Sequence, residues 1–502
     1  MKQIKIINNL NDGKNLVAKS LIYDKIHKQN INWLKQPDQG ESFNINDDAD
    51  GNLIADIFKI SITYHNIDSS LTYDLGFGDA FDILKVALNG REIDKSTLTS
   101  FVFDNNGDNV LDVYINKDPN NESVDIYWSD VSPEIDPVTV HINKYIGNIP
   151  RLSFNIKDVI CDAPIIKIEE IIFDSTNIES FKCNGVIEYI GNYAFNTCEN
   201  IKSIEFKEGL QYIGEYAFSG CTGLTELTLP NSLTSIGSST FSGCTGLTEL
   251  TFGNSLISIG NSAFSDCYGL TGKLTLPNSL TSIGNYAFNC CEGLTELTFG
   301  NSLTSIGEYA FSGCYGLTGK LTLPNSLTSI GDNAFSSCSG LTGELKLPNS
   351  VKSIGNDAFS GCIGLTELTL PNSLTSIGNY AFSDCSGLTG ELIIPDSIIS
   401  IGNSAFSNCS GFNKLTFGNS ITSIEPYAFV GCTSLTELTL PDSLISIGND
   451  AFNGCTDTTI YVPETIKTIG DNAFKDVNKV VLKNYTKFDN WQSWGATQIV
   501  EE

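Results

Sequence analysis

Residues 224–246 read LTELTLPNSLTSIGSSTFSGCTG, and variants of this stretch fill most of the chain. Leu227 and Leu229 alternate with polar residues, a pattern that predicts a strand with one face directed inward. Pro230 ends this strand, because proline cannot donate a hydrogen bond to a neighbouring strand. The stretch therefore begins with a half-buried strand.

The second half of the stretch returns the chain to its starting side. Asn231 and Ser232 predict a turn, and Gly237 is expected to permit the next bend. Phe241 and Cys244 lie three residues apart, as on one helical turn, so they are expected to face the core together.

One phenylalanine per repeat recurs at steps of 23 or 24 residues, with a final step of 22. A period in this range is typical of a solenoid in which each repeat forms one coil. A single coil cannot bury both of its faces, so the coils are expected to stack on one another. The recurring phenylalanines are Phe195, Phe218, Phe241, Phe264, Phe288, Phe311, Phe335, Phe359, Phe382, Phe406, Phe429, Phe452 and Phe474.

Four of the steps are 24 residues long because each contains an extra glycine before the strand. A glycine inserted at the edge of a strand predicts a bulge or a wider turn. These glycines are Gly272, Gly319, Gly343 and Gly390.

Residues 476–502 lose the period and are expected to cap the C-terminal end of the solenoid. A last strand is predicted over 479–483 and a short helix over 486–494. The aromatic side chains at near-helical spacing would plug the open core, and they are Phe488, Trp491 and Trp494.

Composition excludes several classes of protein. With 502 residues the chain would form about three domains if it were not repetitive. It contains no run of about 18 apolar residues, so no transmembrane helix is expected. The formal net charge of −29 repels phosphate backbones and anionic lipids, which argues against nucleic acid and membrane surfaces as partners. The arginines that would read phosphates are limited to Arg91 and Arg151.

Twelve of the 15 cysteines form a ladder, each three residues after a core phenylalanine. Metal ligands converge on one point, whereas these residues are spread along a line. We therefore predict a buried row of free thiols that act as small hydrophobic groups, with Cys290 more exposed. The ladder consists of Cys198, Cys221, Cys244, Cys267, Cys291, Cys314, Cys338, Cys362, Cys385, Cys409, Cys432 and Cys455.

The recurring pattern LTLPNSLTSIGNYAFSGCTGL resembles the BspA-like leucine-rich repeats over about residues 166–475. The resemblance implies a right-handed leucine-rich solenoid in a surface protein that binds host matrix, other cells or soluble proteins. Ser232 stands where commoner leucine-rich repeats place a ladder of asparagines. Family members usually carry a signal peptide, but polar residues interrupt the start MKQIKIINNLNDGKN, so no signal peptide is expected here.

Residues 1–165 lack the repeat, and short alternating stretches predict β structure, either one sandwich-like module or two small units. The predicted strands are 58–64, 101–103, 110–115, 124–128 and 138–142. A helix is expected between Leu16 and Lys28. The overall expectation is a mainly β chain, with an N-terminal β module, about 13 coils over 166–475 and a cap over 476–502.

Residues 7–29 read INNLNDGKNLVAKSLIYDKIHKQ and weakly resemble a segment near the start of bacteriophage appendage proteins. In those proteins an asparagine-leucine-glycine turn precedes an alanine-serine helix. The resemblance implies that residues 1–165 attach the chain to a larger assembly.

The sequence offers little to support catalysis. The three histidines, His27, His65 and His141, all precede the repeats. The many serines and cysteines of the repeats therefore have no histidine in the repeats to activate them. An enzyme whose site lies within residues 1–165 stays a remote alternative.

A calcium site is the best candidate for an ion site, and no other cofactor is expected. Asn46, Asp48 and Asp50 place oxygen ligands at alternate positions before Gly51, as in the front half of an EF-hand loop. Ile57 occupies the twelfth position of this loop, where an EF-hand has its bidentate glutamate. The alternative is a hairpin with an Asp-Gly turn, which the sequence favours.

A polar, mildly acidic strip follows the outward positions of successive strands and is the first candidate binding surface. Tyr268 and Tyr315, each directly after a ladder cysteine, are candidate anchors, because exposed tyrosines often carry binding energy. A second tyrosine column lies two residues before the core phenylalanine. The strip comprises Glu226, Glu249, Lys273, Glu296, Lys320, Glu344 and Glu367.

We predict a non-enzymatic recognition protein whose solenoid binds a protein or a glycan on a host surface. Residues 1–165 would tether it to a larger assembly, most plausibly a phage virion, and could also mediate homo-oligomer formation. The alternative is a BspA-like adhesin of a bacterial cell surface.

Overall fold

The protein is described by a computed structural model. It describes residues 2–4, 21–23, 31–34, 42–45, 57–67, 82–88, 91–93, 107–116, 138–142, 156–161, 167–168, 170–483 and 485–501. The chain packs as two compact units, Met1–Lys207 and Glu208–Glu502. The domain limits at residues 165 and 475 stay predictions.

The first unit contains one mixed eight-stranded sheet. Its centre is the antiparallel pair Ile57–Ile67 and Gly107–Asn116, and parallel strands follow on one side. In spatial order the strands are Ser203–Ile204, Ser180–Cys183, Ile156–Cys161, Val138–Ile142, Ile57–Ile67, Gly107–Asn116, Asp82–Leu88 and Arg91–Ile93. The remaining described strands of this unit are Lys2–Ile4, Leu21–Tyr23, Ile31–Leu34, Ser42–Ile45, Lys167–Ile168 and Tyr189–Ile190.

The prediction of β structure before the repeats is confirmed at residues 58–64, 110–115 and 138–142. The other two predicted strands lie outside the described residues, and the sandwich arrangement stays a prediction.

The helix expected between Leu16 and Lys28 is wrong at its centre. Leu21–Tyr23 is a strand that pairs antiparallel with Lys2–Ile4. Pairing with a distant strand stabilises these apolar residues in extended form, and this overrides their local helix propensity.

The second unit is a solenoid whose continuous element is a parallel sheet of two-residue strands, here named the Ser-Ile sheet. Identical residues stack in register from coil to coil, as Ser258 does on Ser282. Its strands are Tyr212–Ile213, Ser235–Ile236, Ser258–Ile259, Ser282–Ile283, Ser305–Ile306, Ser329–Ile330, Ser353–Ile354, Ser376–Ile377, Ser400–Ile401, Ser423–Ile424, Ser446–Ile447 and Thr468–Ile469.

A second set of strands, here named the long strands, corresponds to the LTELTLP stretch. These strands do not form one continuous sheet but pair in short groups. Gly272, Gly343 and Gly390 each begin a strand that pairs only with the following coil, with a register shift at the glycine and φ of 75 to 79°. The prediction of a bulge or a wider turn is thus confirmed at these three glycines.

The bounds of the long strands are as follows: Glu226–Thr228, Glu249–Thr251, Gly272–Thr275, Leu294–Thr298, Gly343–Lys346, Leu365–Thr369, Gly390–Ile394, Phe412–Phe417, Glu437–Thr439, Thr459–Tyr461, Lys479–Leu482 and Ile499–Glu501. At the long-strand position, the coil that contains Gly319 forms an isolated bridge, from Gly319 to Leu341.

The recurring phenylalanines form a stack through the centre of the solenoid. From Phe218 to Phe452, neighbouring ring centroids are 5.2–5.5 Å apart and the rings are within 10° of parallel. Offset aromatic stacking adds to the burial energy of these side chains. Phe241 and Cys244 are both fully buried, as predicted, but they lie on consecutive turns and not on a helix.

The glycine after each Ser-Ile strand has a different role from the one predicted. Gly237 is not in a left-handed conformation, but a Cβ atom there would lie 2.7 Å from the backbone nitrogen of Glu215. Gly237 is therefore required because two coils approach closely, and not because the chain must bend, whereas the coil of Ser423–Ile424 has Glu425 at this position.

Polar ladders connect the coils at their corners. The Ser279 hydroxyl donates to the carbonyl of Leu256 at 2.6 Å, and serines recur in this role along the solenoid. Serine thus makes the inter-coil bond that the commoner repeats assign to asparagine. An asparagine ladder exists elsewhere, since Asn261 Oδ1 accepts from the Asn285 backbone N–H at 2.9 Å.

The C-terminal cap forms as predicted in outline. A strand, Lys479–Leu482, is followed by two short 3₁₀ helices, Tyr485–Lys487 and Trp491–Ser493. Trp494 is fully buried against Phe474 and Phe488, with ring centroids 6.0 and 5.2 Å apart. Trp491 is only half-buried, so the plug consists of two aromatic residues and not three.

Candidate recognition surface

The predicted binding strip lies on the outward face of the long strands. Six of its seven members are exposed, and Glu344 is half-buried. In-register pairing sets Glu226 directly opposite Glu249, a like-charge pair that is unfavourable for folding. The side chains form one row along the outward face of the long strands, and their role in binding stays a prediction.

Lysines neutralise part of this strip. Lys273 pairs with Glu296, Lys320 with Glu344 at 2.9 Å, and Lys414 with Glu391 at 2.9 Å. The Lys320 hydrogen bond lowers the pKa of Glu344, and the Lys414 bond lowers that of Glu391. The strip is therefore a mixed-charge surface at these coils. The prediction of a mildly acidic strip did not consider that stacking in register places each lysine beside a glutamate of the neighbouring coil.

A shallow groove of about 350 Å³ opens where the long strands separate. It lies between Leu365–Thr369 and Gly390–Ile394, and it is lined by Glu367, Glu391 and Ile393 among others. Ile393 is 57% exposed, so the groove contains an exposed apolar side chain as well as two carboxylates.

The position directly after each ladder cysteine forms a second exposed column. Tyr268 and Tyr315 are 49% and 54% exposed, and Glu292 lies between them in the intervening coil. The Tyr268 hydroxyl donates to Asp266 Oδ1 at 3.0 Å, which holds the ring in place. That bond and the charge of Asp266 raise the pKa of Tyr268, and Glu292 adds a smaller effect in the same direction.

The tyrosines two residues before the core phenylalanine adopt a strained backbone. Tyr216, Tyr286, Tyr380 and Tyr427 have φ of 55 to 59° and remain 38–45% exposed. Other coils place serine, asparagine or aspartate in the same conformation, as at Asn333. Tyr286 stacks on Tyr309 with centroids 4.7 Å apart.

The cysteine ladder is buried and has no visible nucleophilic role. Thiols such as Cys314 donate to the phenylalanine carbonyl of the preceding coil, Phe288 in this case, at 3.1–3.4 Å from Cys244 to Cys455. Burial raises the pKa of Cys267, Cys314 and Cys385 to about 12, so these groups stay protonated. The prediction of free thiols is confirmed, and Cys290 is the half-exposed exception.

Other predicted sites lie outside the described residues. The loop that contains Asn46, Asp48 and Asp50 is one of them, so its calcium site stays a prediction. The strand expected to begin its hairpin is present as Ser42–Ile45, and it pairs with Ile31–Leu34. Among the residues described, no group of three histidine, cysteine or acidic side chains is arranged to hold a metal.

The described part of the chain contains no helix that is both long and apolar enough to span a membrane.

A family model described as the BspA type leucine rich repeat region matches six copies within residues 166–272, 270–389 and 352–481. A solved leucine-rich repeat protein from Bacteroides ovatus is 24% identical with a TM-score of 0.48, and the match covers 72% of this chain and 96% of that one. A leucine rich cell surface protein from Faecalibacterium prausnitzii is 24% identical with a TM-score of 0.35, over 72% and 90%. A leucine-rich repeat protein from T. pallidum is 31% identical with a TM-score of 0.28, over 38% and 77%. No curated protein matches the chain.

Proposed function

This chain belongs to the family of BspA-type leucine-rich repeat proteins, and from that premise we propose that it is a non-enzymatic recognition protein. Its solenoid binds a protein or glycan that is displayed on a surface. Members of the family are often bacterial cell-surface proteins. Solenoids suit this role because each coil extends one rigid face without requiring a new fold.

One observation carries the proposal: tyrosine occupies a left-handed backbone position in several coils while its ring stays in solvent. Tyr380 and Tyr427 have φ of 55 and 59° and are 45% and 43% exposed. Strain of this kind costs free energy and is often retained at functional sites. Because the exposed rings recover little of that cost by burial, contact with a ligand supplies the reason to keep them.

The recognition function fits two locations of the chain, a phage particle and a bacterial cell surface. In the first, residues 1–165 tether the chain to a phage particle, and the repeats contact the host. In the second, the chain is an adhesin of the bacterial cell surface, which family membership favours.

A binding experiment tests the recognition role itself. The full chain is labelled and incubated with intact bacterial and host-type cells, and its saturable binding is measured. The quadruple variant Tyr216→Asn, Tyr286→Asn, Tyr380→Asn and Tyr427→Asn is expected to bind at least about tenfold more weakly, since each exposed anchor supplies roughly 1 kcal/mol. A variant that folds and binds as tightly as the parent contradicts the proposal.

Measuring where the chain resides distinguishes the phage particle from the bacterial cell surface. Stoichiometric recovery of the chain in purified virions selects the phage particle, whereas release from intact cells by surface proteolysis selects the adhesin. Diffuse protein inside the cell, with turnover of a metabolite lost in His65→Ala, overturns both.

A further inference from the structure

Tyr268, Glu292 and Tyr315 occupy the same position in three successive coils of the solenoid. The backbones are in direct contact there, because the Gly316 N–H donates to the Glu292 carbonyl at 3.0 Å. Among the described residues, Tyr268 and Tyr315 are the two most exposed tyrosines. The column therefore presents two aromatic rings on either side of one carboxylate.

The spacing of these rings follows from the coil spacing. In the same three coils, Phe264, Phe288 and Phe311 stack at steps of 5.2 and 5.3 Å. The backbone positions of two residues in the same register, two coils apart, are therefore separated by about twice such a step. If the two rings keep the coil spacing, a cation bound over Glu292 would lie about 5 Å from each ring, within the limit of about 6 Å for cation–π attraction.

The local charge is negative and unpaired. Within the described part of the chain, the ion pairs involve other carboxylates, and neither Asp266 nor Glu292 takes part in one. Half-buried Cys290 lies beside them, and its pKa is raised by burial and then by the charges of Asp266 and Glu292. The long-strand face differs, because lysines neutralise its glutamates at several coils.

We propose that Tyr268, Glu292 and Tyr315 form a clamp for a lysine or arginine side chain of a protein partner. This inference rests on the proposed recognition function and specifies its partner as a protein with an exposed basic segment. Aromatic faces attract a cation, and a carboxylate between them supplies the opposite charge. The net charge of −29 attracts such a partner over longer distances and speeds its association.

The test uses the full chain and a hexa-arginine peptide, with binding measured by calorimetry at physiological salt. Tyr315→Leu and Glu292→Gln are each expected to weaken binding about threefold, and the double variant Tyr268→Leu/Tyr315→Leu about tenfold. Tyr315→Phe keeps the ring and is expected to bind like the parent. All positions are exposed, and unchanged thermal unfolding verifies that each variant folds.

A matched control separates a site from general attraction between opposite charges. Glu199→Gln removes the same charge from the exposed position directly after ladder residue Cys198, in a coil that contains neither Tyr268 nor Tyr315, and is expected to change affinity less than twofold. Equal weakening by Glu199→Gln and Glu292→Gln overturns the clamp. Binding of maltohexaose that depends on the two tyrosines, with no such dependence for hexa-arginine, overturns it in favour of a glycan site.

The outcome is distinguishable from failure of the recognition function. If the chain binds cells but the clamp variants bind hexa-arginine like the parent, recognition stands and the clamp is wrong. If the clamp variants lose hexa-arginine while the parent binds no cell surface, the clamp stands and the surface-recognition proposal is wrong.

Discussion

In most coils of this solenoid the backbone is left-handed at two positions, and this conformation restricts which residue types fit there. One lies two residues before the core phenylalanine and the other two residues after it, as at Tyr380 and Asp384. Asparagine, aspartate and glycine tolerate this conformation better than tyrosine does. Coils with asparagine, aspartate or glycine at these positions have little backbone strain. Coils with tyrosine accept more strain and expose an aromatic ring.

This difference predicts the effect of exchanging the residue types. Tyr380→Asn is expected to stabilise the solenoid by about 1 kcal/mol, because asparagine relieves the backbone strain and the exposed ring contributes little burial. The reverse change, Asn333→Tyr, is expected to destabilise it by a similar amount. Urea unfolding monitored by circular dichroism measures both, and a clear loss of stability in Tyr380→Asn would show that the ring packs for folding.

The buried thiols predict a dependence on pH. Burial raises the pKa of Cys267 to about 12 from an ordinary value of 9.0, so the folded chain holds a proton that the unfolded chain releases between these values. The contribution of this group is complete below about pH 9 and is lost as the pH rises toward 12. Each such thiol lowers the free energy of unfolding by about 1.4 kcal/mol per pH unit in that window.

Replacing one thiol isolates its contribution. In Cys267→Ala the decline in stability between pH 9 and pH 10.5 is expected to be shallower than in the parent by about 1.4 kcal/mol per pH unit. The exposed Thr245→Ala variant serves as the control and keeps the parental slope. Identical slopes in all three proteins would mean that the thiol ionises as readily in the folded state.

At the scale of elements, the sequence predicted the core but not the main sheet. The recurrence of Phe241 and Cys244 identified the buried column, since large apolar groups at a fixed period must stack. The Ser-Ile sheet was missed because a two-residue strand has no alternation that a pattern could detect. Its signal was the constant Ser-Ile-Gly at the same place in nearly every repeat.

The candidate surface was predictable only in part. Variation among otherwise constant repeats drew attention to Tyr268 and Tyr315, and both are indeed exposed. The ion pair between Lys320 and Glu344 was missed, although the two residues hold the same strip position in successive coils and stacking in register brings them together. Positive φ at the Tyr380 position was hidden, since tyrosine is an unusual choice for it.

Glycines at two kinds of position should respond differently to substitution. A Cβ atom at Gly260 would lie 2.5 Å from the Gly237 carbonyl oxygen, so Gly260→Ala is expected to force the coils apart and cost about 2–3 kcal/mol. Gly272 has φ of 75°, and a Cβ atom there would meet no other atom within 4 Å, so Gly272→Asn is expected to cost less than about 1 kcal/mol. Thermal unfolding of the two variants provides the comparison, and equal costs would contradict the assignment of close approach.

At the scale of the whole solenoid, stability is approximately the sum of coil energies and the contacts between neighbouring coils. Each interior coil is covered on both sides, whereas the last coil depends on the cap. Trp494 is fully buried over Phe474, which closes the aromatic column. Its indole Nε1 has no hydrogen-bond partner among the described residues, so its contribution comes from packing.

Removing the plug should therefore loosen the end of the solenoid and leave the middle intact. Trp494→Ala is expected to cost about 3–5 kcal/mol in the terminal coils, because it opens a cavity over Phe474, and Trp494→Phe should cost less. Hydrogen exchange gives the spatial readout: amides over residues 452–482 should exchange faster in Trp494→Ala, while those over residues 218–311 keep their parental rates. Uniform acceleration across both ranges would mean that the coils unfold as one unit, and nearest-neighbour stacking would then not describe this solenoid.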